Sequence, residues 1–141
     1  MDSVIVAKFG GSTIGIDGIS IPVIIQRIST ISKNAKVIAV FSAPLTVVEG
    51  KRTSLTDVVL ELGNRAKDGR TSDLIILKKT YEKILELVSS EFQDGCKKII
   101  DDCLDKVRIE LEKAMEKKEF SDEIRSKTLA YSGEILMSYV M

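Results

Sequence analysis

Two short runs of branched and aromatic residues, Ser3 to Phe9 and Lys36 to Ser42, stand apart in the chain. Each is rich in Val, Ile and Phe and gives way to small or turn-forming residues, as buried strands do. Between them the apolar spacing changes. Ile24, Ile25, Ile28 and Ile31 recur at three and four residues, and Pro22 suits the first turn of a helix, so the pattern predicts a helix joining the two strands. The expected unit is βαβ, with parallel strands, a right-handed crossover and both strand C-termini on one edge of the sheet. Functional loops of open α/β sheets gather at that edge.

From Leu55 onward the periodicity is helical. Leu55, Val58, Val59, Leu62 and Ala66 form one face, which Asp68-Gly69-Arg70 closes. A further helix is expected from near Ser72, a suitable N-cap, carrying Leu74, Leu77, Tyr81, Ile84, Leu85 and Val88. Asp94-Gly95 reads as a turn. Beyond it Ile99, Cys103, Val107, Leu111 and Ala114 make a stripe, and the charged run Glu116 to Glu119 reads as a solvated face or helix end. Ser121, Asp122 and Glu123 look like another helix start, with carboxylates at its positive end. Ile135, Leu136, Tyr139 and Val140 continue an amphipathic pattern up to Met141.

Two strands are fewer than a parallel sheet normally has. The pattern therefore predicts that a longer protein, an oligomer or a partner completes the sheet. At 141 residues the chain fits one domain, 1–141. Lys plus Arg and Asp plus Glu number 21 each, and no basic block appears, which disfavours nucleic acid and anionic membrane and favours a small-molecule ligand. The N-terminal residues lack the basic and apolar regions of a signal peptide, and no apolar run reaches membrane-spanning length. Cys96 and Cys103 fall on one expected helix, about 10 Å apart by helical rise, too far to bridge. With no His and no CxxC they read as buried thiols, and no metal ligand set is expected. A cytoplasmic protein is the expectation.

Candidate chemistry lies in three clusters. In Val4 to Gly15 an apolar strand runs into Lys8, then Gly10-Gly11, then Ser12 and Thr13. Glycines let a backbone turn at positive φ and approach a ligand closely, amides and hydroxyls donate to an anion, and the lysine supplies full charge. Phosphate binding is one reading and an ordinary strand-end turn the other. The order is not that of a Walker loop, where lysine follows the glycines. The second cluster is Phe41-Ser42-Ala43-Pro44, with Thr56-Asp57 after a polar loop. Parallel strands bring Ser42 beside the Gly10-Gly11 turn; alternatively Ser42 only begins a turn and Thr56 only caps a helix. The third is Ser132-Gly133-Glu134, with Ser138 one turn on, which alone is a capped helix start.

Taken together, "KFGGST", "FSA", "LTD" and "SGEILMS", in that order and spacing, resemble the aspartokinases of the amino-acid kinase family. The resemblance implies a three-layer α/β/α sandwich, incomplete in this chain, as a βαβ unit followed mainly by helices. It implies ATP-dependent phosphorylation of the L-aspartate side-chain carboxylate to 4-phospho-L-aspartate, with Mg²⁺ accompanying the nucleotide. That reaction opens the biosynthesis of lysine, threonine and methionine. By the family pattern Lys8 neutralises the phosphoryl group in flight, and Gly10, Gly11 and Ser12 contact phosphates. Ser42, Ala43 and Thr56 line the aspartate site, and Glu134 accepts hydrogen bonds from the substrate α-ammonium. A loose phosphoryl-transfer transition state needs this kind of positioning and charge stabilisation.

The chain departs from the family between Ala43 and Thr56, where "PLTVVEGKRTSL" is longer than the usual connection and makes Thr46 a rival to Thr56. The resemblance spans the chain but only about the first half of a family catalytic domain. The nucleotide-binding second half and the regulatory ACT domains have no counterpart in it. Little or no turnover is therefore expected from these residues alone, and homo-oligomerisation or a complementing half is expected.

Overall fold

The computed structural model describes residues 3–70 and 73–141. The first strand, β1, runs Val4–Phe9 and leads into a one-turn helix, α1, Gly11–Ile14. A longer helix, α2, Ile21–Ser32, carries Pro22 in its first turn and returns the chain to β2, Lys36–Phe41. The strands pair in parallel, from Val4 beside Lys36 to Phe9 beside Phe41. This is the expected βαβ unit. Strand alternation gives the sheet two different faces. On one, Phe9 and Phe41 stack with ring centroids 5.4 Å apart, and Ala7 and Ala39 are half-buried. On the other, Val6, Ile38 and Val40 remain 67%, 54% and 46% exposed, so nothing among the described residues covers that face.

The segment after β2 corrects the expectation of a polar loop. It is a hairpin of β3, Leu45–Val48, and β4, Lys51–Ser54, paired antiparallel. Its two-residue turn puts both Glu49 and Gly50 at positive φ, 50° and 75°, the backbone that matches the twist of a hairpin. The usual signal is Asn-Gly or Asp-Gly, and Glu in the first place hides it. The loop after α1 joins this hairpin. Asp17 N–H donates to the Leu45 carbonyl at 2.7 Å and Leu45 N–H to the Gly15 carbonyl at 3.2 Å.

The rest is helical. Helix α3, Leu55–Lys67, is capped by Ser54, whose hydroxyl accepts from Asp57 N–H at 3.0 Å; the cap is therefore not Thr56. It ends at Asp68-Gly69, as expected. Helix α4 spans Ile75–Glu86; the expected cap at Ser72 lies outside the described residues. Helix α5, Ser90–Lys117, passes straight through Asp94-Gly95, where a turn was expected. One internal glycine costs a helix only about 1 kcal/mol, less than burying Cys96, Ile100, Cys103 and Leu104 further along the same helix returns. Lys118 closes it in the left-handed conformation, within the charged run.

Helix α6, Asp122–Ser132, starts at the expected Ser121 cap, and α7, Glu134–Val140, follows after a break at Gly133. Leu55, Val59, Leu77, Tyr81, Ile84, Val107, Leu136 and Met137 form the centre of the core. Cys96 and Cys103 are free and buried, and burial pushes the Cys103 thiol up. The architecture is mixed α/β, mostly helical with two small sheets. Among the described residues no helix is long and apolar enough to cross a membrane.

Candidate functional site at the ends of the parallel strands

Beyond Phe9 the backbone does not make the left-handed turn that two glycines suggest. Gly10 is extended at φ −75°, ψ 167°, and Gly11 is the first residue of α1. The requirement for glycine is steric instead, and it falls on Gly11. A β-carbon there would lie 2.6 Å from the carbonyl oxygen of Ala43, well inside van der Waals contact. At Gly10 a β-carbon would meet nothing within 4 Å and would project into the space at the strand end. The Gly10 carbonyl accepts from Thr13 and Ile14 N–H at 2.9 and 3.0 Å, which anchors the short helix. The amides of Gly11 and Ser12 precede any intrahelical acceptor.

The end of β2 is tied to this turn. Ser42 N–H donates to the Phe9 carbonyl at 3.0 Å, extending the parallel ladder by one bond. The next two residues, Ala43 and Pro44, are buried and act as a hub. Gly11 approaches the Ala43 carbonyl. Gly133 packs on the Ala43 side chain so closely that a β-carbon on it would stand 2.7 Å from Ala43 Cβ. The Pro44 carbonyl accepts from Leu55 N–H at 3.2 Å and so fixes the start of α3. Thr56 is the second residue of that helix, half-buried, and Glu134 follows Gly133, exposed. Segments holding Gly10, Gly11, Ser12, Ser42, Ala43, Thr56 and Glu134 thus meet around one short stretch of backbone. Lys8 stands beside Val40 in the strand register, exposed and, among the described residues, without an ion-pair partner.

Tyr81, read from the sequence only as a core position, contributes to this placement. Its hydroxyl donates to the Ser132 carbonyl at 2.5 Å, across 51 residues of chain. Burial pushes the phenol well above its ordinary range, and the neighbouring Cys103 and Glu134 add to the shift. The bond pins the break between α6 and α7 and with it the position of Glu134. A tyrosine on an otherwise aliphatic helix face is the signal that a buried acceptor waits opposite. Ser132 does not cap α7: its hydroxyl donates back to the Leu129 carbonyl at 3.2 Å. The Ser138 hydroxyl likewise donates to the Glu134 carbonyl at 2.8 Å.

Thr46 is engaged elsewhere. It donates to Asp17 Oδ1 at 3.0 Å and accepts from the Thr80 hydroxyl at 3.0 Å, while Lys83 Nζ donates to Asp17 Oδ2 at 2.6 Å. This chain of bonds fastens the hairpin to α4 and to the loop after α1, and uses both the donor and an acceptor site of the Thr46 hydroxyl. Of the two threonines, Thr56 is the one beside the hub.

No family model, curated protein or solved structure matches this chain. The open space at Gly10, the amides of Gly11 and Ser12 and the free Lys8 ammonium suit an anion of phosphate size. Among the described residues no group of three or more His, Cys, Asp or Glu could hold a metal ion.

Proposed function

We propose that this chain is the phosphoryl-binding and acceptor-binding part of an aspartokinase-like enzyme, which transfers the γ-phosphoryl group of ATP to the side-chain carboxylate of L-aspartate. In this reading the βαβ unit and its helices belong to the three-layer α/β/α sandwich of the amino-acid kinases. What supports it is the hub at Ala43. Two segments far apart in sequence, each carrying one of the motif clusters, pack on that residue, which belongs to the third cluster.

In this proposal the Lys8 ammonium offsets charge on the phosphoryl group as it moves. At about 4 Å and an effective dielectric near 20 one such contact amounts to roughly 4 kcal/mol before desolvation. The amides of Gly11 and Ser12 donate to phosphate oxygens. Ser42 and Thr56 donate to the acceptor carboxylate, and the Glu134 carboxylate accepts from the substrate α-ammonium. No covalent nucleophile is needed, because positioning and charge stabilisation supply the acceleration.

Calorimetric titration of the chain with ATP and with L-aspartate tests this. The expected result is binding of both, at least tenfold weaker ATP binding in Lys8→Ala, and weaker aspartate binding in Glu134→Gln. L-glutamate competing equally would move the assignment to another carboxylate substrate on the same fold. The bare sheet face favours a second reading, a non-catalytic module that works by association. For that module Lys8→Ala changes only local stability.

A further inference from the structure

One turn of α4, Thr80 to Ile84, reaches three segments that border the candidate site, and none of its residues belongs to a motif cluster. Tyr81 donates to the Ser132 carbonyl at 2.5 Å, two residues before Glu134. Thr80 donates to Thr46 at 3.0 Å, on the strand that starts directly after Ala43-Pro44. Lys83 donates to Asp17 Oδ2 at 2.6 Å. Ile84 lies against Gly18, where a β-carbon would stand 2.8 Å from its Cγ1. Asp17 and Gly18 belong to the loop that follows α1, the short helix holding Gly11 and Ser12.

Thr80 and Tyr81 are both fully buried. A buried hydroxyl costs free energy unless it is bonded, so aliphatic side chains would fill these two positions more simply if packing were their only task. Their bonds fix direction as well. Neighbours on a helix point about 100° apart while sharing one stiff backbone, and rigid elements of this kind carry coupling between sites. We propose that Thr80 and Tyr81 are positioning residues that couple the two halves of the site. Tyr81 holds the Ser132 carbonyl, and with it Glu134, on the acceptor side. Thr80 holds Thr46, and through it Asp17 and the loop behind Gly11 and Ser12, on the phosphate side. Because one turn carries both, a ligand that settles one half tightens the other. The identity of the two ligands rests on the phosphoryl-transfer reading.

Calorimetric titration of L-aspartate into the full chain with and without saturating ATP, and of ATP with and without saturating L-aspartate, tests this. In the wild type each ligand should tighten the other by the same factor, about fivefold or more. Tyr81→Phe should weaken aspartate binding and bring that factor close to one, while ATP binding alone stays unchanged. Thr80→Val should also lower the factor, and Thr80→Ser, which keeps the hydroxyl, should restore it. Glu82→Ala, exposed on the same turn, should leave it as it is. A merely structural role would weaken both ligands together and spare the factor. Independent binding of the two ligands to the wild type, or a factor that survives both Tyr81→Phe and Thr80→Val, would overturn the proposal and leave the phosphoryl-transfer reading in place. Absence of binding of either ligand would overturn that reading, and the coupling with it.

Discussion

The carbonyl oxygen of Ala43 lies 2.6 Å from the point a β-carbon on Gly11 would occupy. The glycine pair after β1 is therefore not two equivalent residues. One lets the two strand-end loops touch, and the other borders open space.

Gly11→Ala must displace buried backbone, because Ala43 is held by Ser42 on one side and Pro44 on the other. A loss of about 1–3 kcal/mol is expected, the usual cost of overpacking. Gly10→Ala adds a methyl group with no neighbour at an ordinary φ of −75°, and should stay within about 0.5 kcal/mol of wild type. Urea unfolding of the two variants checks this; equal destabilisation would refute the assignment of roles.

Gly133→Ala pushes on the same residue from the other side, with its β-carbon 2.7 Å from Ala43 Cβ. Since both substitutions strain one hub, their effects should not add, and the double variant should differ from the sum by at least about 0.5 kcal/mol. Strict additivity would mean that Ala43 does not couple the two segments.

Tyr81→Phe removes the donor to the buried Ser132 carbonyl, which should cost about 1–3 kcal/mol. Its pH dependence separates this bond from general packing. The folded phenol is raised, first by burial and then by Cys103 and Glu134, so the folded chain keeps a proton that the unfolded chain gives up. Wild-type stability from this group is complete below about pH 10 and declines as pH rises beyond it. Denaturant midpoints measured at several alkaline pH values should fall more steeply for wild type than for Tyr81→Phe.

The Thr80, Thr46 and Asp17 chain makes a cycle prediction. Thr46→Val leaves Thr80 without its acceptor and removes one donor from Asp17, whose carboxylate keeps Lys83. The expected cost is about 1–3 kcal/mol. Adding Thr80→Val removes the orphaned hydroxyl, so the double variant should be less destabilised than the two single costs combined. Asp17 sits at a positive φ of 51°, which aspartate tolerates, and Asp17→Asn should retain the loop conformation while losing the Lys83 ion pair.

Periodicity carried much of this architecture. Both parallel strands, the Pro22 helix, the Ser121 cap and the Gly69 stop were legible, because each follows from local rules that tertiary packing did not override. The hairpin was not, since its turn uses Glu49 where asparagine or aspartate usually stands. The uninterrupted α5 was missed because Asp94-Gly95 carries a turn signal that a long buried stripe outweighs. At the site, the residue types around Lys8, Ser42 and Glu134 were visible as motifs. Their meeting point was not. Gly11 and Gly133 both pack on Ala43, and such a contact between distant segments leaves no periodic trace in a single sequence. Tyr81 read as core for the same reason, its partner being a backbone carbonyl 51 positions away.

The central claim is that the hub at Ala43 assembles one site for phosphate and acceptor. Amide chemical shifts of the full chain, followed while ATP and then L-aspartate are added, test it most directly. The account predicts that ATP moves Gly10, Gly11 and Ser12, that L-aspartate moves Ser42, Ala43, Thr56 and Glu134, and that Lys8→Ala abolishes the first set. Shifts scattered away from the ends of β1 and β2, or none at millimolar ligand, would contradict it.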